Sequence, residues 1–233
     1  MPRKMPRKSD KYLQQEGEHL ARVLKLIDLG EQDGYMGQGK EYQVRVTFEI
    51  VDDIQTFTKK DGEEVTGPSL LDATYTQKLS KSAKFYKLCK AIIGRKVDDD
   101  DFDPSDIVGK YIMLDLEQKV SGQGNPYMRV TDYFRPSKDD IEELTPDNYD
   151  PDQNDHFAWW LEEGTDWDVF DNFPEWMQDL ISSTPQYAEL NAATETTGKP
   201  RGLKKTGLNL DEEDEAPPER KSRKKKAVES EDY

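Results

Sequence analysis

Residues 41–51 (EYQVRVTFEIV) contain the pattern that most narrows the folds open to this chain. Apolar and polar side chains alternate there, and the apolar set is Tyr42, Val44, Val46, Phe48 and Ile50. Because successive side chains of an extended strand point to opposite faces, a period of two indicates a strand with one face in a core. The chain is therefore expected to contain a β-sheet whose second face is polar.

Four more segments, rich in β-branched and aromatic residues and bounded by turn residues, are predicted to be strands: 19–29, 69–79, 110–118 and 127–135. Residues 82–93 (SAKFYKLCKAII) instead have helical spacing, with Ser80 or Ser82 as a candidate N-cap and Gly94 as the stop. The order strand, strand, strand, helix, strand, strand is that of an OB-fold, a five-stranded Greek-key barrel. The predicted fold class is an all-β core with one helix.

Charge and composition divide the 233 residues into four segments. A basic N-terminal arm (1–14) precedes the OB-fold domain (15–135). Residues 136–190 hold 16 Asp or Glu and a single basic residue, Lys138, yet they also hold all four tryptophans. Residues 191–233 show no periodicity and alternate basic with acidic runs, so they are predicted to be a disordered charged tail.

The acidic segment is unusually aromatic for a solvated linker. We therefore expect part of 154–181 to pack on the barrel through five rings, Phe157, Trp159, Trp160, Phe173 and Trp176. Residues 174–181 (PEWMQDLI) are predicted to form a short helix opened by Pro174. The alternative is a floating acidic segment that becomes ordered only on a partner.

Several chemistries are not expected. One cysteine and two distant histidines do not form a zinc motif, and no apolar run is long enough to span a membrane. Lys59-Lys60-Asp61-Gly62 matches the K-x-D-G motif of nucleotidyltransferases, but Asp-Gly here is typical of a hairpin turn. The aspartates of 98–103 are interpreted as a solvated loop. No catalytic residue, metal or cofactor is predicted.

Aromatic and basic side chains interleave on the polar faces of the predicted strands. The fifth strand alternates Tyr127, Arg129, Tyr133 and Arg135 with apolar residues. Rings that stack on bases, together with cations that follow phosphates, are typical of proteins that bind single strands. The alternative is that the tyrosines pack at the barrel mouth while the arginines pair with carboxylates. The predicted DNA-binding set is Lys25, Arg45, Tyr75, Lys78, Lys81, Lys84, Tyr127, Arg129, Tyr133 and Arg135.

With these segments, the chain resembles the OB-fold single-stranded-DNA-binding proteins of tailed bacteriophages over about residues 15–190. The resemblance is carried by 20–30 (LARVLKLIDLG) with Gln32, by 41–51, by 79–94 (LSKSAKFYKLCKAIIG), by Gly109-Lys110 and by 173–181 (FPEWMQDLI). It implies a non-catalytic accessory protein of DNA replication or recombination. Members of that family often end in an acidic tail with a terminal aromatic residue, which Glu229–Tyr233 matches.

The leading hypothesis is a protein that coats single-stranded DNA without marked sequence preference, in the cytoplasm of an infected bacterium. Its acidic C-terminus is expected to compete with DNA or to recruit phage or host replication and recombination enzymes. Two alternatives remain open at this stage. One is a protein-interaction OB module of a replication complex, and the other is an acidic DNA mimic that inhibits a host nucleic-acid enzyme.

Overall fold

A six-stranded, mostly antiparallel sheet forms the centre of the molecule. The structure, a computed structural model, describes residues 12–34, 39–58, 62–99 and 101–196. The strands are β1 (Gly17–Asp33), β2 (Lys40–Thr58), β3 (Glu64–Thr76), β4 (Tyr111–Val120), β5 (Pro126–Phe134) and β6 (Phe157–Trp159). The helices are α1 (Lys84–Ile93), α2 (Lys138–Leu144), α3 (Trp167–Asp171), α4 (Glu175–Ser182) and α5 (Pro185–Thr196).

The strand order is β3-β2-β1-β4-β5, and every neighbouring pair on this path is antiparallel. The structure confirms the predicted order of the first five strands, with α1 between the third and the fourth. β2 continues to Thr58, beyond the predicted end at 51, because it pairs with β3 as far as Thr58↔Glu64. The K-x-D-G residues 59–61, which were predicted to be a turn, lie outside the described residues.

One face of the sheet packs on α1 and forms the main core. The alternation predicted for 41–51 is confirmed for Val44, Val46, Phe48 and Ile50, which are fully buried there, but it is wrong for Tyr42, which is 49% exposed. α1 contributes Cys89 to this core, and burial raises the pKa of its thiol to about 12. The cysteine is therefore a neutral packing group.

The ends of α1 agree only in part with the sequence prediction. The helix stops at Gly94, whose φ of +78° is a conformation that glycine adopts without strain. The predicted serine caps are wrong, because Ala83 occupies the N-cap and no side chain caps the helix. The first turn of α1 therefore keeps its backbone N–H groups without a side-chain partner.

The opposite face, called here the outer face, was expected to be polar, but much of it is covered. Glu49 is fully buried and Thr47 is 8% exposed. The cover is the acidic segment, which folds back so that β6 pairs in parallel with β1, with Lys25↔Phe157 and Ile27↔Trp159. A second apolar cluster results, made of Ile27, Leu29, Trp159, Leu161, Phe170, Phe173, Met177 and Ile181.

Polar contacts also attach the acidic segment to the outer face. Arg22 and Glu49 form a buried ion pair, with Nη1 and Oε1 3.6 Å apart. The Tyr149 hydroxyl donates to Glu49 Oε1, and Asn154 Nδ2 donates to Glu49 Oε2 at 3.1 Å. Arg22 Nη1 in turn donates to the carbonyl of Pro151. Two buried charges on β1 and β2 are thus satisfied largely by residues 149–154.

The acidic segment also differs from its prediction in detail. Trp159 and Phe173 are buried, and Phe157 and Trp160 are half-buried. Trp176 is 50% exposed and lies outside the second apolar cluster, although its ring contacts Arg45 of β2. α4 lies where the sequence placed it, and Pro174 is its N-cap. α5 continues to Thr196, past the predicted start of the tail at 191. The rest of the predicted tail (197–233) and the arm up to residue 11 lie outside the described residues.

A pH-dependent contribution to stability is expected from His19 at the start of β1. Its Nδ1 lies 3.2 Å from Asp52 Oδ1, and the hydrogen bond to Asp52 raises the pKa of His19 above its usual 6.5. Because the folded pKa is the higher one, this stability is fully present below the unfolded pKa and is lost as the pH rises through the folded pKa. We expect His19→Gln to flatten the decline in unfolding free energy between about pH 6 and about pH 8.5.

Urea denaturation at the lower and the higher pH measures the unfolding free energy. Asp52→Asn removes the other member of the pair and should flatten the decline of the unfolding free energy in the same way. Equal pH dependence in the original protein and in both variants would show that the pair contributes nothing.

Candidate nucleic-acid interface

A cleft of about 280 Å³ lies between β3 and β5, the two ends of the strand order. Residues 71–75 of β3 form one wall, and residues 127–130 of β5 form the other. Lys84, the first residue of α1, closes one side. Five of the ten predicted site residues line this cleft: Tyr75, Lys84, Tyr127, Arg129 and Tyr133.

The floor of the cleft is a pair of buried tyrosines. The hydroxyl of Tyr133 donates to that of Tyr75 at 3.0 Å, and the ring centroids are 6.3 Å apart. Burial raises the pKa of Tyr133 to about 12 and that of Tyr75 well above its ordinary value. Both side chains are therefore neutral, and they join β3 to β5 rather than standing free as stacking surfaces.

The predicted alternation along β5 is wrong beyond Thr131. Asp115 pairs with Asp132 and Leu116 pairs with Val130, so Thr131 is an extra residue in β5. Such a bulge shifts the following side chains to the other face. Tyr133 is consequently turned inward, 9% exposed, whereas Phe134, one of the apolar residues of the predicted alternation, is 42% exposed.

The rim of the cleft carries positive charge and one accessible ring. Tyr127 is 41% exposed, and Lys84 and Arg129 are exposed beside it. Burial lowers the pKa of Lys84, and the nearby charges of Arg129 and Lys87 lower it further. Among the described residues, no carboxylate lies at ion-pair distance from Lys84, Lys87 or Arg129. An anion bound here would relieve the mutual repulsion of the cations.

The other predicted site residues lie outside the cleft. Arg45 is on the outer face, where its Nη2 is 2.7 Å from Asp72 Oδ2 and its guanidinium carbon is 4.9 Å from the centroid of the Trp176 ring. Lys25 is on the same face, with Nζ 5.3 Å from the Phe157 centroid.

Three cations remain of the predicted set. Lys78 forms an ion pair with Glu41, which lowers the pKa of that carboxyl. Lys81 is exposed in the turn before α1. Arg135 is exposed beside Gly94, at the other end of α1. The structure thus brings five residues together and distributes the other five around them.

Two residues near this surface were missed by the sequence prediction. Lys87 follows Lys84 by three positions on α1, and side chains at that spacing share a helix face, so the signal was present. Trp176 was assigned to packing because an acidic segment gives no local sign of which ring stays exposed. Its exposure depends on how α4 packs on β1, which is a tertiary property.

A larger cleft of about 400 Å³ lies elsewhere and has different chemistry. Tyr12, Phe57, Val65 and Leu70 are among its lining residues, and none of the described residues that line it is basic. Asp53 accepts hydrogen bonds from the Tyr12 hydroxyl at its edge. This cleft lacks the cations that a phosphate chain needs, so the smaller cleft is the candidate interface.

The described residues hold neither a metal-binding cluster nor a membrane-spanning helix. No group of three or more His, Cys, Asp or Glu side chains there is arranged to hold a metal ion. No helix within those residues combines the length and apolar character required to cross a membrane. Compared with known proteins, the chain matches no family model and no curated protein.

Proposed function

We propose that this protein coats and protects single-stranded DNA, without marked sequence preference, during phage DNA replication or recombination. The observation that carries the proposal is the cleft between β3 and β5, where unneutralised cations stand beside an exposed tyrosine ring. Cations in a groove hold the phosphate backbone, and an exposed ring accepts any base by stacking. Proteins that bind single strands without sequence preference combine these two features.

The finer fold assignment belongs to the same proposal. In an OB-fold, five strands in Greek-key order close into a barrel, with a helix between the third and fourth strands. The order β3-β2-β1-β4-β5, the Tyr75–Tyr133 bond between the end strands and the position of α1 support this assignment. The resemblance to phage OB-fold single-strand-binding proteins, which is carried by some of the same segments, agrees with it. It also suggests the cytoplasm of an infected bacterium as the location and replication or recombination enzymes as partners of the acidic C-terminus.

Different residues of the cleft are expected to bind different parts of the DNA. Lys84, Lys87 and Arg129 attract and hold phosphates, which releases condensed counterions and makes the affinity fall with salt. Tyr127 supplies stacking at the rim. The buried tyrosines of the floor keep the two walls at a fixed separation through their hydroxyl contact. No step of this function requires bond making or breaking.

Titration of the protein with oligo-dT at two salt concentrations tests the proposal. We expect Tyr127→Ala to weaken binding by about 1–3 kcal/mol, the loss of one stacked base. We expect Arg129→Ala to weaken binding and to reduce the slope of log affinity against log salt by about one. Lys40→Ala is the matched control, because Lys40 is an exposed cation that pairs with Asp33 outside the cleft.

Unchanged affinity in both cleft variants would place the interface elsewhere on the molecule. Absence of salt-dependent binding to any oligonucleotide would overturn the proposal. It would favour a protein-interaction module or an acidic DNA mimic, because neither needs to bind DNA.

A further inference from the structure

The four tryptophans of the acidic segment have different surroundings. Trp159 is 2% exposed, and its Nε1 donates to the Asp166 carbonyl at 2.8 Å. Trp160 is half-buried and donates to Ser105 Oγ at 2.8 Å. Trp167 is half-buried and meets Trp159 edge to face. Trp176 alone among the four is exposed, at 50% of its surface.

Trp176 is held in place although it is exposed. It lies on α4, which packs on the sheet through Met177 and Ile181. Its ring lies over the guanidinium of Arg45, 4.9 Å from the guanidinium carbon to the ring centroid. Asp72 of β3 pairs with that guanidinium, with Asp72 Oδ2 2.7 Å from Arg45 Nη2. An exposed indole with a fixed orientation loses little side-chain entropy when a ligand stacks on it.

The position of Trp176 connects it with the cleft. Arg45 of β2 is paired in register with Thr74 of β3. Thr74 and Asp72 both line the cleft on the β3 side. Neighbouring strands are about 4.8 Å apart, so the Arg45–Trp176 pair lies one strand from the cleft wall. A polynucleotide leaving the cleft over β3 reaches this ring next.

We propose that Trp176 is a base-stacking residue that extends the single-strand interface from the cleft across β3 onto the outer face; this inference rests on the proposed function. The ligand is an unpaired nucleobase of the DNA already held in the cleft. Asp72 compensates the charge of Arg45, and Glu175 and Asp179 lie on the same helix, so phosphates are disfavoured here. The base lies on the indole while the backbone stays beside Lys84 and Arg129 in the cleft.

Fluorescence gives a direct test, because only one of the four tryptophans is exposed. The full chain is titrated with oligo-dT while intrinsic tryptophan emission and the anisotropy of a labelled oligo-dT are recorded in parallel. We expect quenching in the original protein, loss of that quenching in Trp176→Phe, and retained quenching in the matched control Trp167→Phe. We expect Trp176→Ala to weaken binding at least about fivefold at fixed salt.

The outcomes separate this inference from the proposed function. If the oligonucleotide binds but Trp176→Phe keeps the quenching and Trp176→Ala keeps the original affinity, Trp176 is not a stacking residue and the cleft proposal stands. If the oligonucleotide does not bind at all, both proposals fail. Because the side chain is half exposed, both Trp176 variants are expected to unfold within a few degrees of the original protein. Thermal unfolding in that range would show that affinity rather than folding has changed.

Discussion

Replacing Arg22 by methionine is expected to lower the free energy of unfolding by about 3–5 kcal/mol. The substitution removes the positive partner of Glu49 and leaves a carboxylate that is 0% exposed. The hydrogen bonds from Tyr149 and Asn154 remain, but they do not neutralise the charge. Breaking one half of a buried pair is costly because the remaining ion has neither water nor a counter-ion. Urea denaturation followed by circular dichroism gives the difference.

Two further variants make this result specific. Arg22→Met combined with Glu49→Gln removes both charges and should recover part of the loss. Lys40→Met breaks an exposed pair with Asp33 and should cost no more than about 1 kcal/mol. A loss below that size in Arg22→Met would mean that the pair does not stabilise the contact between the sheet and residues 149–154.

The second large effect is expected for Trp159→Ala, at about 3–5 kcal/mol of unfolding free energy. The ring of Trp159 is nearly inaccessible and lies at the centre of the second apolar cluster, with the centroids of Phe170 and Phe173 5.7 and 5.2 Å away. Its removal leaves a cavity between β1 and the acidic segment, and the surrounding rings cannot fully collapse into it. Thermal and urea unfolding measure the loss.

Trp176→Ala is the matched control, since it removes the same side chain from an exposed position and should change stability by less than about 1 kcal/mol. Hydrogen exchange adds a local measurement. In Trp159→Ala, we expect amides of α3 and α4 to lose protection before those of β2 and β4. Equal stability of the two variants would mean that the acidic segment is not joined to the sheet through Trp159.

The sequence predicted the sheet better than it predicted the surface. A period of two over 41–51 identifies an extended strand, and the helix between the third and fourth strands follows from a change of period, so both were found. β6 was missed because it is three residues long and exists only through its pairing with β1. Glu49 shows most clearly what the sequence does not reveal. Its charge indicated an exposed side chain, but its partners at 22, 149 and 154 are distant in sequence and keep it buried.

The candidate site was predictable to a similar extent. Interleaved rings and cations on β5 identified Tyr127 and Arg129, which line the rim. One extra residue, Thr131, then reversed the faces, so Tyr133 was assigned to the wrong side. The residues around this bulge include no glycine or proline, so the sequence does not indicate it. The exposure of Trp176 depends on the docking of α4 and has no local signal either.

The return of β6 to β1 also has a consequence for synthesis on the ribosome. Ile27 and Leu29 emerge early, but Trp159, which covers them, is translated about 130 residues later. At about 5–20 residues per second, the apolar strip on β1 waits roughly 7–26 s for its cover. During that interval a nascent chain offers a natural docking strip to chaperones. The domain is therefore complete only when its most acidic segment has left the exit tunnel.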